Sequence, residues 1–312
     1  MQLPPRFWFQ LQRLKKAFQS AWGEKGQAYD TAHRMCPHCR ALVERGASVC
    51  PFCGGSLRSA RARASTSTPG RILGVIPIPS TASSVIVGAN VALYGIAWYL
   101  TQSAAASDLG AASSMGGVSG EVLYRLGAKF GPAIAAGQWW RLVTACFLHA
   151  GLLHIGMNLW CIVDLGPEVE SLFSTTKFVV LYLATGVCGF VASSWWSAGL
   201  SVGASGAIMG LIGILIGASY HLGRLGKDYR GMLWRWVLYM LIFGLMPFFA
   251  VDNAAHVGGL LSGLVLGYFV SHGEPQTRAS ENLWNALAIL SVLIIAGSFA
   301  LMALQLNQQL PW

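Results

Sequence analysis

A serine and a histidine that could act together as nucleophile and base each begin an apolar stretch of this chain. Ser205 lies in Gly203-Ala204-Ser205-Gly206, and His256 follows 51 residues later at the start of another apolar run. Ionisable residues inside membrane segments are energetically costly and are usually functional. A hydroxyl and an imidazole on neighbouring helices form the nucleophile–base pair of a serine hydrolase. The sequence therefore predicts acyl-transfer chemistry within a bilayer, carried by Ser205 and His256.

A second polar set, His149, His154 and Asn158, opens a different apolar run. His154 and Asn158 are four residues apart and so share one face of a helix. Hydrogen-bond donors placed near a nucleophile can stabilise an oxyanion, together with the backbone N–H of Ser205 at a helix N-terminus. The alternative is a metal site formed by His149, His154 and His256. That alternative would leave Ser205 without a role.

The elements that must position these residues are membrane helices. Of the 312 residues, 54% are hydrophobic and only 11% are charged. A soluble domain carries about 25% charged residues, so most of this chain is expected in lipid. Because about 20 residues cross the hydrocarbon, the pattern predicts seven spans. They lie at about 82–101, 147–163, 178–197, 205–220, 232–250, 254–271 and 284–305.

The fourth and sixth spans carry glycines at helical spacing, at 206, 210, 213 and 217 in one and at 259, 263 and 267 in the other. Small residues at this spacing let two helix backbones approach closely in lipid. The pattern predicts that these two helices pack together and bring Ser205 within reach of His256. The fourth span is short, so Ser205 is expected below the membrane surface, at the floor of a water-filled depression.

Charge is concentrated at the beginning of the chain. Residues 1–71 hold 12 of the 21 Lys/Arg and 3 of the 12 Asp/Glu. We interpret this arm as cytoplasmic and close to anionic headgroups, and we expect no nucleic-acid partner. The loop at 221–231 then also lies inside, which places Ser205 and His256 toward the outer leaflet. Residues 1–30 predict a basic amphipathic helix on the membrane surface, or else one docked on the protein itself.

Four cysteines in the arm have metal-ligand spacing. They form two Cys-x-x-Cys pairs, Cys36 with Cys39 and Cys50 with Cys53. Two such pairs satisfy a tetrahedral four-thiolate zinc site, and Gly54 suits a turn with positive φ. A redox dithiol is the alternative, although one pair would suffice for it. Residues 31–57 therefore resemble a short zinc ribbon with structural Zn²⁺ and an unidentified protein partner, followed by a linker at 58–80.

The motifs together resemble the rhomboid family of intramembrane serine proteases. The resemblance covers about 80–271 and keeps the family's order and separations. It is carried by Trp140-Arg141, by His149, His154, Asn158 and Glu170, by Gly203-Ala204-Ser205-Gly206, and by Ala255-His256-Val257-Gly258-Gly259 with Gly263. The resemblance implies an all-α polytopic membrane protein. Its six-helix catalytic core would span 81–275, with one additional transmembrane helix at 276–312.

The resemblance also implies the roles of individual residues. Ser205 would be the nucleophile and His256 the general base, in a dyad that needs no cofactor. Asn158, His154 and the N–H of Ser205 would form the oxyanion hole, and His149 and Gly203 would support it. We expect Asp252, four residues before His256, to cap a helix rather than complete a triad.

Two further positions bear on how the site is held. By the same resemblance, Trp140 and Arg141 would help set the outer loop at the lipid interface. Met209 stands where many members have a tyrosine that packs under the catalytic histidine, and a methionine can fill that space with a soft sulfur contact.

Three functional classes compete. The first is an endopeptidase that cleaves transmembrane segments of membrane proteins within the lipid bilayer. The second is a catalytically inactive relative that binds or escorts membrane clients, which the presence of Ser205, His256, His154 and Asn158 disfavours. The third is a transporter or metal sensor, although the sequence lacks the paired repeats and broken helices typical of transporters.

Overall fold

The structure is a computed structural model of the 312-residue chain. It describes residues 33–35, 42–44, 49–51, 54, 71–72, 76–77, 80–107, 116–246, 251–273, 275 and 277–309. The chain divides into two compact units, Met1–Ile78 and Pro79–Trp312. We describe each unit by itself.

The described parts of the first unit form two short antiparallel pairs of strands. Strand β1 (His33–Met35) pairs with β2 (Leu42–Glu44), and β3 (Arg71–Ile72) pairs with β4 (Ile76–Pro77). Cys50 is buried, and its carbonyl accepts a hydrogen bond of 2.9 Å from the amide of Gly54.

Gly54 has a φ of 70°, which confirms the predicted turn. The other three predicted zinc ligands, Cys36, Cys39 and Cys53, lie outside the described residues, as does the predicted amphipathic helix at 5–22. The zinc site therefore stays a prediction.

The regular secondary structure described in the second unit is all helical, apart from a single β-bridge between Lys129 and Ser201. Its helices are α1 (Thr81–Ser107), α2 (Gly120–Arg125), α3 (Gly131–Ala135), α4 (Arg141–Thr144), α5 (Leu152–Phe173), α6 (Thr175–Trp196), α7 (Ser205–Ser219), α8 (Gly223–Phe243), α9 (Asn253–Phe269) and α10 (Arg278–Gln309). Short 3₁₀ turns follow α4 at Ala145–Phe147 and α7 at Tyr220–Leu222.

Every predicted span overlaps one of the seven longer helices. By length and composition, three helices of the described chain can cross a membrane: Thr81–Ser103, Thr175–Trp196 and Arg278–Asn307. The bent pair Arg141–Phe147 and Leu152–Phe173 provides a fourth span if the two helices count as one. Helix α7 is apolar but only 15 residues long. It is about 22 Å in length, shorter than a hydrocarbon core of about 30 Å.

The predicted bounds of the second span, 147–163, are wrong. The chain bends by 90° between Phe147 and Leu152, and α5 then continues to Phe173. The hydropathy pattern placed the end of this span too early, because the last two turns of α5 contain acidic residues. One of them, Glu170, is nevertheless buried, because its carboxylate accepts hydrogen bonds from the hydroxyls of Ser80 and Thr175.

Helix α7 is the centre of the second unit. Every residue of α7 after Ser205 is buried. Helix α9 packs along α7, and α6 packs against both. A helix buried on all sides must be apolar all round, as α7 is, and its first residue is then the part that other molecules can reach.

Glycines hold α7 and α9 backbone to backbone, as predicted. A Cβ added to Gly259 or Gly263 of α9 would lie 2.0 Å or 2.1 Å from the carbonyl oxygens of Gly206 or Gly210 of α7. In the opposite direction, a Cβ on Gly213 would lie 2.4 Å from a carbonyl oxygen of α9. Contacts this short leave no room for a side chain, so the glycines determine how closely the two helices approach.

Candidate active site

Ser205 is the first residue of α7, and the backbone before it is unusually constrained. Gly203 has a φ of 132°, which side chains other than glycine rarely adopt, and its amide donates to the carbonyl of Ala145 at 2.9 Å. Ser205 itself is half-buried. The first N–H groups of a helix have no partner within that helix, so the start of α7 presents donors beside the Ser205 hydroxyl.

His256 lies in the first turn of α9 and is 2% exposed. Its amide donates to the carbonyl of Asp252 at 3.1 Å, as in a regular helix. Among the described residues, neither ring nitrogen has a hydrogen-bond partner. The ring therefore keeps both its donor and its acceptor available.

The starts of α7 and α9 lie side by side. A Cβ on Gly206 would be 3.5 Å from the carbonyl oxygen of Ala255, and one on Gly189 of α6 would be 2.7 Å from the same oxygen. Gly206, which follows Ser205, therefore lies close to Ala255, which precedes His256. The structure brings the two helix starts together as predicted, and it records no hydrogen bond to the ring of His256.

His154 of α5 borders the same space as Ser205. A Cβ built on Gly203 would lie 2.8 Å from His154 Nε2 and 3.6 Å from Ser205 Oγ. Any side chain at position 203 would fill the gap between the two groups. A glycine at position 203, two residues before the serine, is therefore required by the space beside His154 as well as by the backbone conformation.

Asn158 lies one turn after His154 and is buried. Its Nδ2 donates to the His154 carbonyl at 2.8 Å, and its Oδ1 has no partner among the described residues. An amide nitrogen carries two hydrogens, so one donor of Asn158 remains for another acceptor. The role of Asn158 and His154 in an oxyanion hole stays a prediction.

His149 packs behind His154. Its ring is fully buried and meets the ring of His154 edge to face, with centroids 5.2 Å apart. The Nδ1 of His154 accepts a hydrogen bond of 3.4 Å from the amide of Ala150. These contacts fix the orientation of His154 from one side.

The alternative metal site is not supported. No group of three or more His, Cys, Asp or Glu residues in the described part of the chain is arranged to hold a metal ion, and all three histidines of the alternative are described. The alternative of a metal site at His149, His154 and His256 therefore has no support in the described part of the chain.

Met209 lies one turn after Ser205 and is fully buried in the core around α7. It stands on the helix that carries the proposed nucleophile. Its predicted packing beneath the ring of His256 stays a prediction.

Trp140 and Arg141 are buried against the outer segment, and their role in setting the outer loop at the lipid interface stays a prediction. The Arg141 guanidinium donates to the carbonyls of Tyr124 at 2.7 Å and Ala128 at 3.0 Å, and it stacks on the rings of Tyr124 and Trp140. The neighbouring Trp139, with 56% of its surface exposed, is the outward-facing tryptophan. Arginine has five donors and no acceptor, so carbonyls of the outer segment satisfy it internally.

Asp252 is the N-cap of α9, as predicted. Its carboxylate accepts a hydrogen bond of 3.0 Å from the Ala255 amide and another from the Ser193 hydroxyl. Burial alone would raise the pKa of this carboxyl, but the hydrogen bonds from Ser193 and Ala255 lower it below its ordinary value of 3.8. The nearby charge of Lys129 also lowers the pKa of Asp252.

The residues around the candidate site are similar to a known protein family. Residues 136–273 match the rhomboid domain family. The match supports the rhomboid family. Residues 136–273 contain every residue predicted for the catalytic site, from Trp140 to His256.

The chain is similar to several curated rhomboid proteins. It is 35% identical to the rhomboid protease GluP of Bacillus subtilis over 57% of this chain and 35% of that protein. It is 35% identical to the mitochondrial RHOMBOID-like protein 6 of Arabidopsis thaliana, over 53% and 54%. It is 31% identical to the Rhomboid-like protease 1 of Toxoplasma gondii, over 55% and 61%. The chain thus spans between a third and three fifths of the length of these relatives.

Sequence reasoning missed one group of residues near the candidate site. Lys129 is fully buried, and its Nζ donates to the carbonyls of Ser197 at 2.6 Å and Gly199 at 3.2 Å. Its backbone pairs with that of Ser201 through two hydrogen bonds of 3.0 Å. Burial lowers the pKa of Lys129, and the charge of Asp252 partly offsets this. A lysine in a loop reads from the sequence as solvent-exposed, so no local pattern indicated this contact.

Proposed function

We propose that this multi-pass membrane protein is an intramembrane serine endopeptidase in which Ser205 and His256 form a catalytic dyad. The observation that carries the proposal is the close approach of the starts of α7 and α9, where a Cβ added to Gly206 would lie 3.5 Å from the carbonyl oxygen of Ala255. It fixes the helix turns that carry Ser205 and His256 against each other. The named rhomboid proteases among the relatives support the same activity.

The proposed reaction is acyl transfer followed by hydrolysis. The Ser205 oxygen attacks a peptide carbonyl of the substrate while His256 accepts the hydroxyl proton. The C–N bond then breaks, and His256 returns the proton to the leaving amine. A water molecule, deprotonated by His256, attacks the resulting ester and releases the second product with Ser205 restored.

The negative charge of the tetrahedral intermediate needs donors close to Ser205. The free N–H groups at the start of α7 supply them from the backbone. His154 borders the same space, and Asn158 has one uncommitted amide hydrogen. We assign the oxyanion hole to these three groups. Removing one such donor typically costs about 100- to 1,000-fold in kcat.

The substrates on this proposal are transmembrane segments of other membrane proteins. Because Ser205 begins a short, buried helix, a substrate must present an unwound carbonyl at that depth. Helix-breaking and small residues near the cleavage site are expected for this reason. The Lys/Arg distribution supports a cytoplasmic N-terminus and a site toward the outer leaflet.

The first 78 residues receive a separate proposal. We propose that Cys36, Cys39, Cys50 and Cys53 hold one structural Zn²⁺ and that this module binds a protein partner. The spacing of the two pairs supports the metal, and the burial of Cys50 beside the Gly54 turn is consistent with it.

The second candidate function is a catalytically inactive rhomboid-like protein that binds or escorts membrane clients. One experiment separates it from the protease. Wild type, Ser205→Ala and Ser262→Ala are purified and incubated with a single-span reporter substrate. Ser262 is the matched control because its hydroxyl bonds only carbonyls of its own helix, at 2.9 Å.

We expect wild type and Ser262→Ala to cleave the reporter and Ser205→Ala to lose about 10⁴-fold or more in kcat, because the nucleophile is removed. A fluorophosphonate should label the two active proteins and leave Ser205→Ala unlabelled. Equal cleavage by all three proteins, or no cleavage by any, would overturn the dyad.

A further inference from the structure

The carboxylate of Asp252 connects two helices rather than one. One oxygen accepts the Ala255 amide of α9 at 3.0 Å, which is an N-cap bond. The other oxygen accepts the hydroxyl of Ser193, a fully buried residue near the end of α6. An N-cap requires only the first of these bonds. The second bond therefore has a role beyond capping, because it joins the start of α9 to α6.

The bond to Ser193 holds the turn of α9 that contains His256. Ala255, the residue capped by Asp252, directly precedes His256, and its carbonyl rests against Gly189 and Gly206. The first turn of α9 is thus held by α6 on one side and by the start of α7 on another. A change in the position of Asp252 would move His256 relative to Ser205.

The chain that leads into Ser205 is held from the same region. Lys129 binds the carbonyls of Ser197 and Gly199 and pairs with Ser201, four residues before Ser205. Its buried ammonium interacts electrostatically with Asp252. The cation that holds the segment before Ser205 therefore lies near enough to influence the charge of the carboxylate that caps α9.

Asp252 does not act as a third member of a triad. Its two oxygens accept from Ala255 and Ser193, and the ring of His256 has no hydrogen bond from any described residue. The hydrogen bonds of the carboxylate consequently reach His256 through the backbone of α9 and not through the imidazole nitrogens, on which Asp252 acts only by its charge.

We propose that Asp252 is a positioning residue, which sets His256 against Ser205 by bonding the first turn of α9 to Ser193 of α6. The inference rests on the proposed protease function. It assigns Ser193 a share in the same task.

The test compares four variants in detergent or nanodiscs: Asp252→Ser, Ser193→Ala, the double variant, and Glu121→Gln. Serine is a good N-cap residue, so Asp252→Ser keeps the cap but cannot reach Ser193 with a second oxygen. Glu121 is the control because it is an exposed carboxylate that forms an ion pair with Arg125 in its own short helix. The readouts are kcat and KM on the single-span reporter, and the thermal midpoint.

We expect Asp252→Ser and Ser193→Ala each to lower kcat by about 10- to 100-fold with KM within about twofold, since small misplacements of reacting groups have effects of this size. The double variant should be no slower than Asp252→Ser, because that single variant already removes the bond to Ser193. The thermal midpoints of the Asp252 and Ser193 variants should fall below that of Glu121→Gln, since each variant loses a buried hydrogen bond, but the loss of kcat should exceed the loss of folded protein at the assay temperature.

A kcat for Asp252→Ser equal to that of Glu121→Gln would overturn the inference, as would fully additive losses in the double variant. A fall in kcat that matches the fraction of unfolded protein would also overturn it. Failure of the proposed function looks different, because wild type would then cleave no faster than Ser205→Ala.

Discussion

Gly203 affects both the backbone conformation before Ser205 and the space beside the Ser205 hydroxyl. Its φ of 132° allows the chain to turn into α7, and its missing side chain leaves the gap between His154 and Ser205 open. We predict that Gly203→Ala displaces His154 and lowers kcat by at least about tenfold, because the new methyl would lie 2.8 Å from Nε2. The measurement is reporter cleavage by the purified variant.

Gly137 supplies the control for this prediction. It also has a positive φ, of 96°, but nothing lies within 4 Å of its would-be Cβ. Both alanine variants should lose about 1–3 kcal/mol of stability from backbone strain. Only Gly203→Ala should lose activity beyond the loss of folded protein. Similar activity in the two variants would show that the gap beside His154 is not needed.

The charge of Asp252 gives stability a defined pH dependence. Its pKa is lower in the folded protein than its ordinary value of 3.8, so its contribution is fully present above that value. The contribution is lost as the pH falls through the folded pKa. We predict that wild type is more stable than Asp252→Asn at pH 7 and that this difference narrows below about pH 4. Thermal melts in a non-ionic detergent measure it, and a difference that widens on acidification would contradict it.

The sequence pointed to the proposed catalytic residues but not to the residues that hold them in place. Ser205 and His256 stood out because polar groups in apolar runs are rare, and Asp252 was recognised as a cap from its place before a helix. The contacts of Lys129 with Ser197 and Gly199 join segments far apart in the chain. Such contacts have no local periodicity, so only the folded structure could reveal them.

At the scale of elements, the glycine contact between α7 and α9 determines the geometry of the site. We call this contact the glycine seam; it is formed by Gly206, Gly210 and Gly213 of α7 and by Gly259 and Gly263 of α9. A Cβ on Gly259 would lie 2.0 Å from the Gly206 carbonyl, a backbone atom that cannot turn aside. We predict that Gly259→Ala separates the two helices, costs about 1–3 kcal/mol and lowers kcat as well. Thermal unfolding and reporter cleavage measure the two effects.

Gly297 of α10 is the matched control for the seam. Nothing lies within 4 Å of its would-be Cβ, so alanine there should leave both stability and activity near the wild-type values. If Gly259→Ala has the same thermal stability and the same kcat as Gly297→Ala, the close approach of α7 and α9 does not position Ser205 and His256.

Glycine spacing predicted the seam correctly because the repeat in each helix is regular. Hydropathy did not predict the 90° bend before α5, since an average over many residues passes smoothly across a short break. It also placed the end of that span too early, because Glu170 is buried with hydroxyl partners rather than exposed. Bends and buried polar pairs are decided by tertiary contacts, which composition does not encode.

The whole molecule divides into a unit at Met1–Ile78 and a unit at Pro79–Trp312. Every proposed catalytic residue belongs to the second unit. We predict that the purified chain carries about one zinc ion, that Cys36→Ser with Cys39→Ser abolishes it, and that removing it with a chelator leaves kcat within about twofold of its starting value. Metal analysis and reporter cleavage on the same samples test this.

The outcome separates the two units functionally. Loss of cleavage on chelation, reversed by added zinc, would contradict the independence of the catalytic unit. Absence of bound zinc would remove the metal proposal and leave the protease proposal intact.

The glycine seam has a consequence for behaviour at low temperature. Hydrophobic attraction weakens on cooling, but lipid tails provide no such attraction between helices, which associate by close packing instead. Helix backbones that approach closely commonly form Cα–H···O contacts, which are electrostatic in origin. The alignment of Ser205 with His256 should therefore survive cold. Slower turnover in the cold would then reflect the chemical barrier and the stiffness of the surrounding lipid.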